Sequence, residues 1–145
     1  MKVRCVANTG KSLSQKNLDL GYKKESKFNV EIESEYIVYS MMRWGETLDY
    51  LIIGEKSEVP SWYPVELFEV VNHLLPPVYY FIFSKYKNYK GKESQLAIWG
   101  YKEMTTSLDH YIALTEENTR ALEIFFKRKC QIDEFEELSQ FRFKK

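Results

Sequence analysis

Charge and aromatic chemistry concentrate at three places in this sequence. From 85 to 92 the run KYKNYKGK interleaves Lys85, Lys87, Lys90 and Lys92 with Tyr86 and Tyr89. Ammonium groups meet phosphates and tyrosine rings stack on bases, so this stretch suits a nucleic acid. It equally suits a solvated hairpin tip, whose lysines discourage edge pairing. From 28 to 36, FNVEIESEY alternates, with Phe28, Val30 and Ile32 on one side and Glu31, Glu33 and Glu35 on the other. If extended, it lines up three carboxylates, either as a solvated strand face or as a patch that steers a basic partner such as a toxin domain. Glutamates at strand spacing, without Asp, Asn or a glycine turn, make poor calcium ligands. Trp44 lies in a turn, and Trp62 and Tyr63 stand beside Pro64. Aromatic anchors dominate binding energy at interfaces, and on a strand one of Trp62 and Tyr63 must face outward. The alternative for Trp44 is a lid over the end of a core.

Catalytic and metal chemistry finds no footing. Of the two histidines, His73 stands alone and His110 follows Asp109 directly, so on a strand that pair points to opposite faces rather than forming an orienting pair. There is no GxSxG, HExxH or paired-cysteine motif. Gly10-Lys11-Ser12 has the end of a phosphate-binding loop, but Cys5 occupies the place of its first glycine. Cys5 and Cys130 are far apart and outside metal spacing, so both are expected as reduced, packed thiols. No catalytic residue, metal ligand or cofactor is assigned.

Those features need a scaffold, and the composition provides one. In 145 residues, 44% hydrophobic with 16% aromatic is ample for a core, so a folded chain is expected. The formal charge is zero, about −2 over residues 1–72 and +2 over 73–145, without the basic excess of a dedicated nucleic-acid binder. MKVRCVANTG lacks the apolar core of a signal peptide, and no apolar run approaches the roughly 20 residues of a membrane span. The expectation is a cytoplasmic protein with no membrane partner.

KVRCVA at 2–7 reads as a first strand, and Asn8–Lys27 as a long loop. YIVYSMMR at 36–43 and LDYLII at 48–53 read as a hairpin around Trp44–Thr47. A turn at Gly54–Glu58, a short strand at SWY, a 3₁₀ turn at VELF and a closing strand at FEVV follow. Pro76 and Pro77 then punctuate the chain. VYYFIF reads as a strand buried on both faces, pairing with 94–101 in a second hairpin. SLDHYIAL fits a third strand or the start of a helix, with the strand preferred. Thr115 caps a helix over 116–129 whose apolar stripe packs on that hairpin, and the tail adds a short helix.

The order over residues 1–72, ending in PSWYPVELFEVV, resembles the Src-homology-type small β-barrel. Where that family's peptide-binding members carry an acidic loop and a tyrosine run, this chain has VANTGKSLSQKNLDLGY, so the resemblance implies the fold and not polyproline binding. The whole chain is also similar to small bacterial proteins that serve as immunity partners of toxins. The expectation is therefore α+β: a Src-homology-like barrel over 1–72, then a β-hairpin and helix unit over 73–145. Its function is expected to be non-enzymatic protein binding of the immunity or antitoxin kind, through Glu31, Glu33, Glu35, Trp44, Trp62 and Tyr63. A nucleic-acid-binding regulator using Lys85, Tyr86, Lys87, Tyr89, Lys90 and Lys92 is the second reading, and a small enzyme the third.

Overall fold

The computed structural model describes residues 1–87 and 90–142. The fold is α+β, with two antiparallel sheets. The small sheet has β1 (Lys2–Cys5) between β2 (Glu35–Ile37) and β6 (Phe68–Asn72). The large sheet runs β5 (Pro60–Pro64), β4 (Thr47–Ile53), β3 (Ser40–Trp44), β8 (Glu93–Gly100), β7 (Tyr80–Lys87). Among the described residues four α-helices complete it: α1 (Gln15–Asp19), α2 (Lys102–Thr106), α3 (Leu108–Thr115) and α4 (Thr119–Arg142). None among the described residues is long and apolar enough to cross a membrane.

The large sheet is covered on both faces because its strands are apolar on both. Along β4, Tyr50 and Ile52 point into one core with Val3, Cys5, Tyr36 and Leu67, whereas Leu51 points into the other with Met42, Ile98, Met104 and Phe125. The small sheet closes the first core, and the helices close the second. The chain changes sheets between two consecutive residues. Val38 N–H donates to the Met1 carbonyl at 3.1 Å, and Tyr39 N–H donates to the Leu51 carbonyl at 2.9 Å. Their side chains part accordingly, Val38 into the first core and Tyr39 into the second.

Gly45 and Gly100 are each required by geometry in the large sheet. Gly45, with φ +61°, opens the two-residue turn between the Trp44–Thr47 pair, a position that favours glycine in a type II′ hairpin. Gly100 lies opposite Ser40, and a Cβ there would come within 2.4 Å of Ser40 Oγ, which itself donates to the Trp99 carbonyl at 2.7 Å. This close approach joins β3 to β8, so the segments before and after His73 share one sheet. Pro60 and Pro64 both fall in β5, at the sheet's edge, where a missing N–H is tolerated.

Several expectations are corrected. The strand expected at 36–43 is two strands, broken by the change of sheet, and the first strand ends at Cys5. The loop at 8–27 contains a 3₁₀ turn at Gly10–Ser12 and α1. Residues 28–34 are not a strand: Ser34 N–H closes a turn on the Glu31 carbonyl, and Glu33 takes φ +71°. SLDHYIAL is helical because Ser107 Oγ accepts from Asp109 N–H at 3.1 Å, capping α3. The next helix begins at Thr119 and not 116. Its cap is Asn118, whose Oδ1 accepts from Arg120 and Ala121 N–H at 3.1 and 3.3 Å, while Thr115 Oγ1 donates back to the Tyr111 carbonyl. The tail continues α4 without a break to Arg142. Finally, β7 is not buried on both faces; Tyr80, Phe81, Ile82 and Phe83 are all exposed at the sheet's outer edge.

Candidate protein-binding groove

Trp44 stands on the large-sheet face that carries Met42 and, across the ladder, Leu96. Those two residues pack against the helices, but Trp44 lies at the hairpin end and is 41% exposed. Its ring meets Tyr86 of β7 edge to face, with centroids 5.2 Å apart. β8 sets this meeting, since it pairs Leu96 with Trp44 on one side and Ser94 with Tyr86 on the other. The turn below is fixed by Thr47 Oγ1 donating to the Trp44 carbonyl at 3.1 Å and by Gly45 N–H donating to the Gln95 carbonyl at 2.8 Å.

Helix α1 forms the opposite wall. Glu66, in the 3₁₀ turn before β6, accepts from Ser14 N–H at 2.8 Å and Asn17 Nδ2 at 3.2 Å, holding the start of α1. Burial pushes the Glu66 carboxyl up, but these hydrogen bonds outweigh it and keep it below the usual range. Lys16 reaches Glu46 at 3.4 Å, and Gln15 Nε2 donates to Asp19 Oδ1 at 2.7 Å. The result is an open groove of about 760 Å³ lined by Lys16, Asp19, Leu20, Trp44, Tyr86 and Lys87, with Gly45, Glu46, Thr47 and Ser94. It has two aromatic rings, two lysines and two carboxylates.

The structure thus joins residues that the sequence assigned to two different functions, Trp44 from the protein-binding set and Tyr86 and Lys87 from the nucleic-acid set. Lys85 is exposed on β7, and Lys90 and Lys92 lie between the strands, with Lys92 bordering a second hollow beside Arg43 and Glu93. Tyr89 lies outside the described residues. Glu31, Glu33 and Glu35 are all exposed, but only Glu35 is on a strand. Glu35 pairs with Lys2 at 3.5 Å, and Arg4, held by Glu69 with its guanidinium pKa raised by that carboxylate, also lies in the field of Glu33 and Glu35. The carboxylates do not line the groove.

Trp62 and Tyr63 both pack inward, because β5 has a core on each side. Tyr63 is buried against Phe28 and Phe68, while half-buried Trp62 meets Tyr111 of α3 at 5.8 Å. One edge of Trp62 lines a hollow of about 320 Å³ with Pro60, Leu114 and Thr115. Sequence reasoning missed Lys16, Asp19, Leu20 and Glu46. Ser14 ahead of Gln15–Asp19 is a residue type favoured at a helix start, but its side chain makes no capping bond, and nothing local places that turn beside Trp44. Comparison with protein-family models, curated proteins and solved structures finds no match.

Proposed function

We propose that the protein is a non-enzymatic protein-binding module that captures a partner in the Trp44–Tyr86 groove, in the manner of a bacterial immunity or antitoxin protein masking a toxin. The observation that carries this reading is Trp44: a tryptophan 41% exposed, braced by Tyr86 and set in the wall of a concave surface. A partner's apolar side chain would desolvate it, the usual circumstance of a hot spot. The exposed carboxylates Glu31, Glu33 and Glu35 would act at a distance, steering a basic partner before contact. Capture from a lysate of the native host tests the reading, with wild type and Trp44→Ala as bait. Wild type should retain a specific protein that Trp44→Ala loses, and equal recovery on both baits would refute a groove-centred site.

Nucleic-acid binding is the second reading, favoured by Lys85, Tyr86 and Lys87 in succession on an exposed strand. Against it, Asp19 and Glu46 line the same groove as Lys16 and Lys87 and would repel a polyanion. A salt-sensitive affinity for RNA or DNA, lost in Lys87→Glu, would reverse the order.

A further inference from the structure

Strand β7 ends the large sheet, and its first half is apolar: Tyr80, Phe81, Ile82 and Phe83 are 52, 56, 38 and 50% exposed. The direction of its outer backbone groups follows from the ladder, and of these the Lys85 carbonyl accepts a long bond from Ser84 Oγ at 3.4 Å. Gly45 N–H donates to the Gln95 carbonyl, so Gln95 turns its main chain toward β3 and Leu96, by alternation, toward β7. Leu96 is opposite Ser84, and Ile98 is opposite Ile82. Ser84 and Ile82 therefore bond inward, which leaves the N–H and C=O groups of Phe81, Phe83 and Lys85 directed away from the sheet. Edge strands are normally blunted by charge along their length, yet here the lysines begin only at Lys85.

We propose that β7 pairs antiparallel with β7 of a second copy across a two-fold axis at Phe83, so that the two large sheets become one. The arrangement is complementary in hydrogen bonding, charge and shape. With the axis at Phe83, the outward groups of Phe81 and Lys85 meet those of Lys85 and Phe81 of the second copy, and Phe83 meets its own copy. Each Lys85 ammonium then lies across from an aromatic ring, and the two lysines stay apart. A parallel pairing would place lysine on lysine. Tyr80 comes opposite Tyr86 on the other face. An isologous two-fold also closes on itself, leaving no β7 edge for a third copy.

Half-exposed aromatics of this size would bury on the order of 500 Å² per copy, about 1,000 Å² in total. That is the lower end of specific interfaces, so the dimer should dissociate on dilution. The test is sedimentation equilibrium of the full chain from low to high micromolar concentration. The mass should rise from that of one chain to that of two, and Phe83→Lys should remain at one chain throughout with the wild-type circular dichroism. If Phe83→Lys fails to fold, Lys85→Pro removes an outward N–H that makes no bond among the described residues, and it too should be monomeric. A wild type that stays at one chain, including one that instead binds an acidic peptide along β7, overturns the proposal. So does assembly beyond two chains, or a dimer that survives the folded variant. Tyr86 borders both seam and groove but Phe83 borders only the seam, so partner binding measured on monomeric Phe83→Lys separates loss of dimerisation from loss of groove binding.

Discussion

Trp44 of β3 and Tyr86 of β7 meet edge to face at 5.2 Å although β8 lies between their strands. Both rings are partly in water, so their contact shapes the groove more than it stabilises the fold. An edge-to-face pair contributes about 0.5–1.5 kcal/mol beyond its area. A double-mutant cycle on Trp44→Ala and Tyr86→Ala, read by chemical denaturation, should give a coupling of about 1 kcal/mol. A coupling near zero would mean that the rings do not brace each other in solution.

Asp49 should make stability fall as pH rises. It sits in β4 between Met42 and Pro64, its Oδ1 is buried and has no hydrogen-bond partner among the described residues, and burial with nearby Glu66 pushes its carboxyl up to about 6. The folded state therefore holds this proton more tightly than the unfolded one, and the stability it confers is lost between pH of about 4 and 6. His110 works in the opposite sense: burial lowers its pKa, so its contribution is lost as pH falls below the ordinary histidine value. Comparing Asp49→Asn with wild type isolates the first effect. The variant's melting temperature should exceed wild type at pH 7.5 by more than at pH 4, and a gap independent of pH would contradict this.

Glu136 ties the first residue to the last helix. Its carboxylate, 1% exposed, accepts from the Met1 amine at 2.9 Å and from Asn72 Nδ2 at 2.7 Å, and Ser139 Oγ also accepts from Asn72. Removing one member of a buried ion pair leaves the other charge uncompensated, at about 3–5 kcal/mol. Glu136→Ala should therefore lower unfolding stability by about 3 kcal/mol or more, and Asn72→Ala by about 1–3 kcal/mol. Urea titration of both variants checks the order.

The two thiols should differ in reactivity. Cys5 is fully buried in the first core, where burial raises its pKa and Sγ donates to the Ala7 carbonyl, whereas Cys130 is exposed on α4. A thiol reagent should titrate one group in the native protein and two after unfolding without reductant. Two fast native thiols would contradict the burial of Cys5, and none after unfolding would reveal a disulfide.

The elements from Ser40 to Asn72 were legible because each is announced locally: a glycine at the Trp44–Thr47 turn, prolines at either end of a short strand, and valines closing it. What escaped depended on distant partners. Nothing near Val38 and Tyr39 tells that one bonds to Met1 and the next to Leu51, so the strand was read through. Alternation at Glu31–Glu35 mimicked a strand, but Glu33 N–H turns to the Cys5 carbonyl in a left-handed conformation. Continuous apolar character made β7 look buried, because composition does not reveal which strand ends a sheet. Half of the groove was legible as aromatic anchors. The α1 wall was not, because Glu66, which secures that helix, is about fifty residues away in sequence.

In the function proposed above, Trp44 would anchor a protein partner while the exposed carboxylates steer it. The most direct test is the association and dissociation rates of the captured partner on wild type, Trp44→Ala and Glu33→Lys. Trp44→Ala should speed dissociation by about 30-fold, the equivalent of a 2 kcal/mol hot spot, with little change in association. Glu33→Lys should slow association at low salt only. Unchanged dissociation from Trp44→Ala, with binding abolished instead by Trp62→Ala or by Phe83→Lys, which lies outside the groove, would contradict the account and move the interface elsewhere.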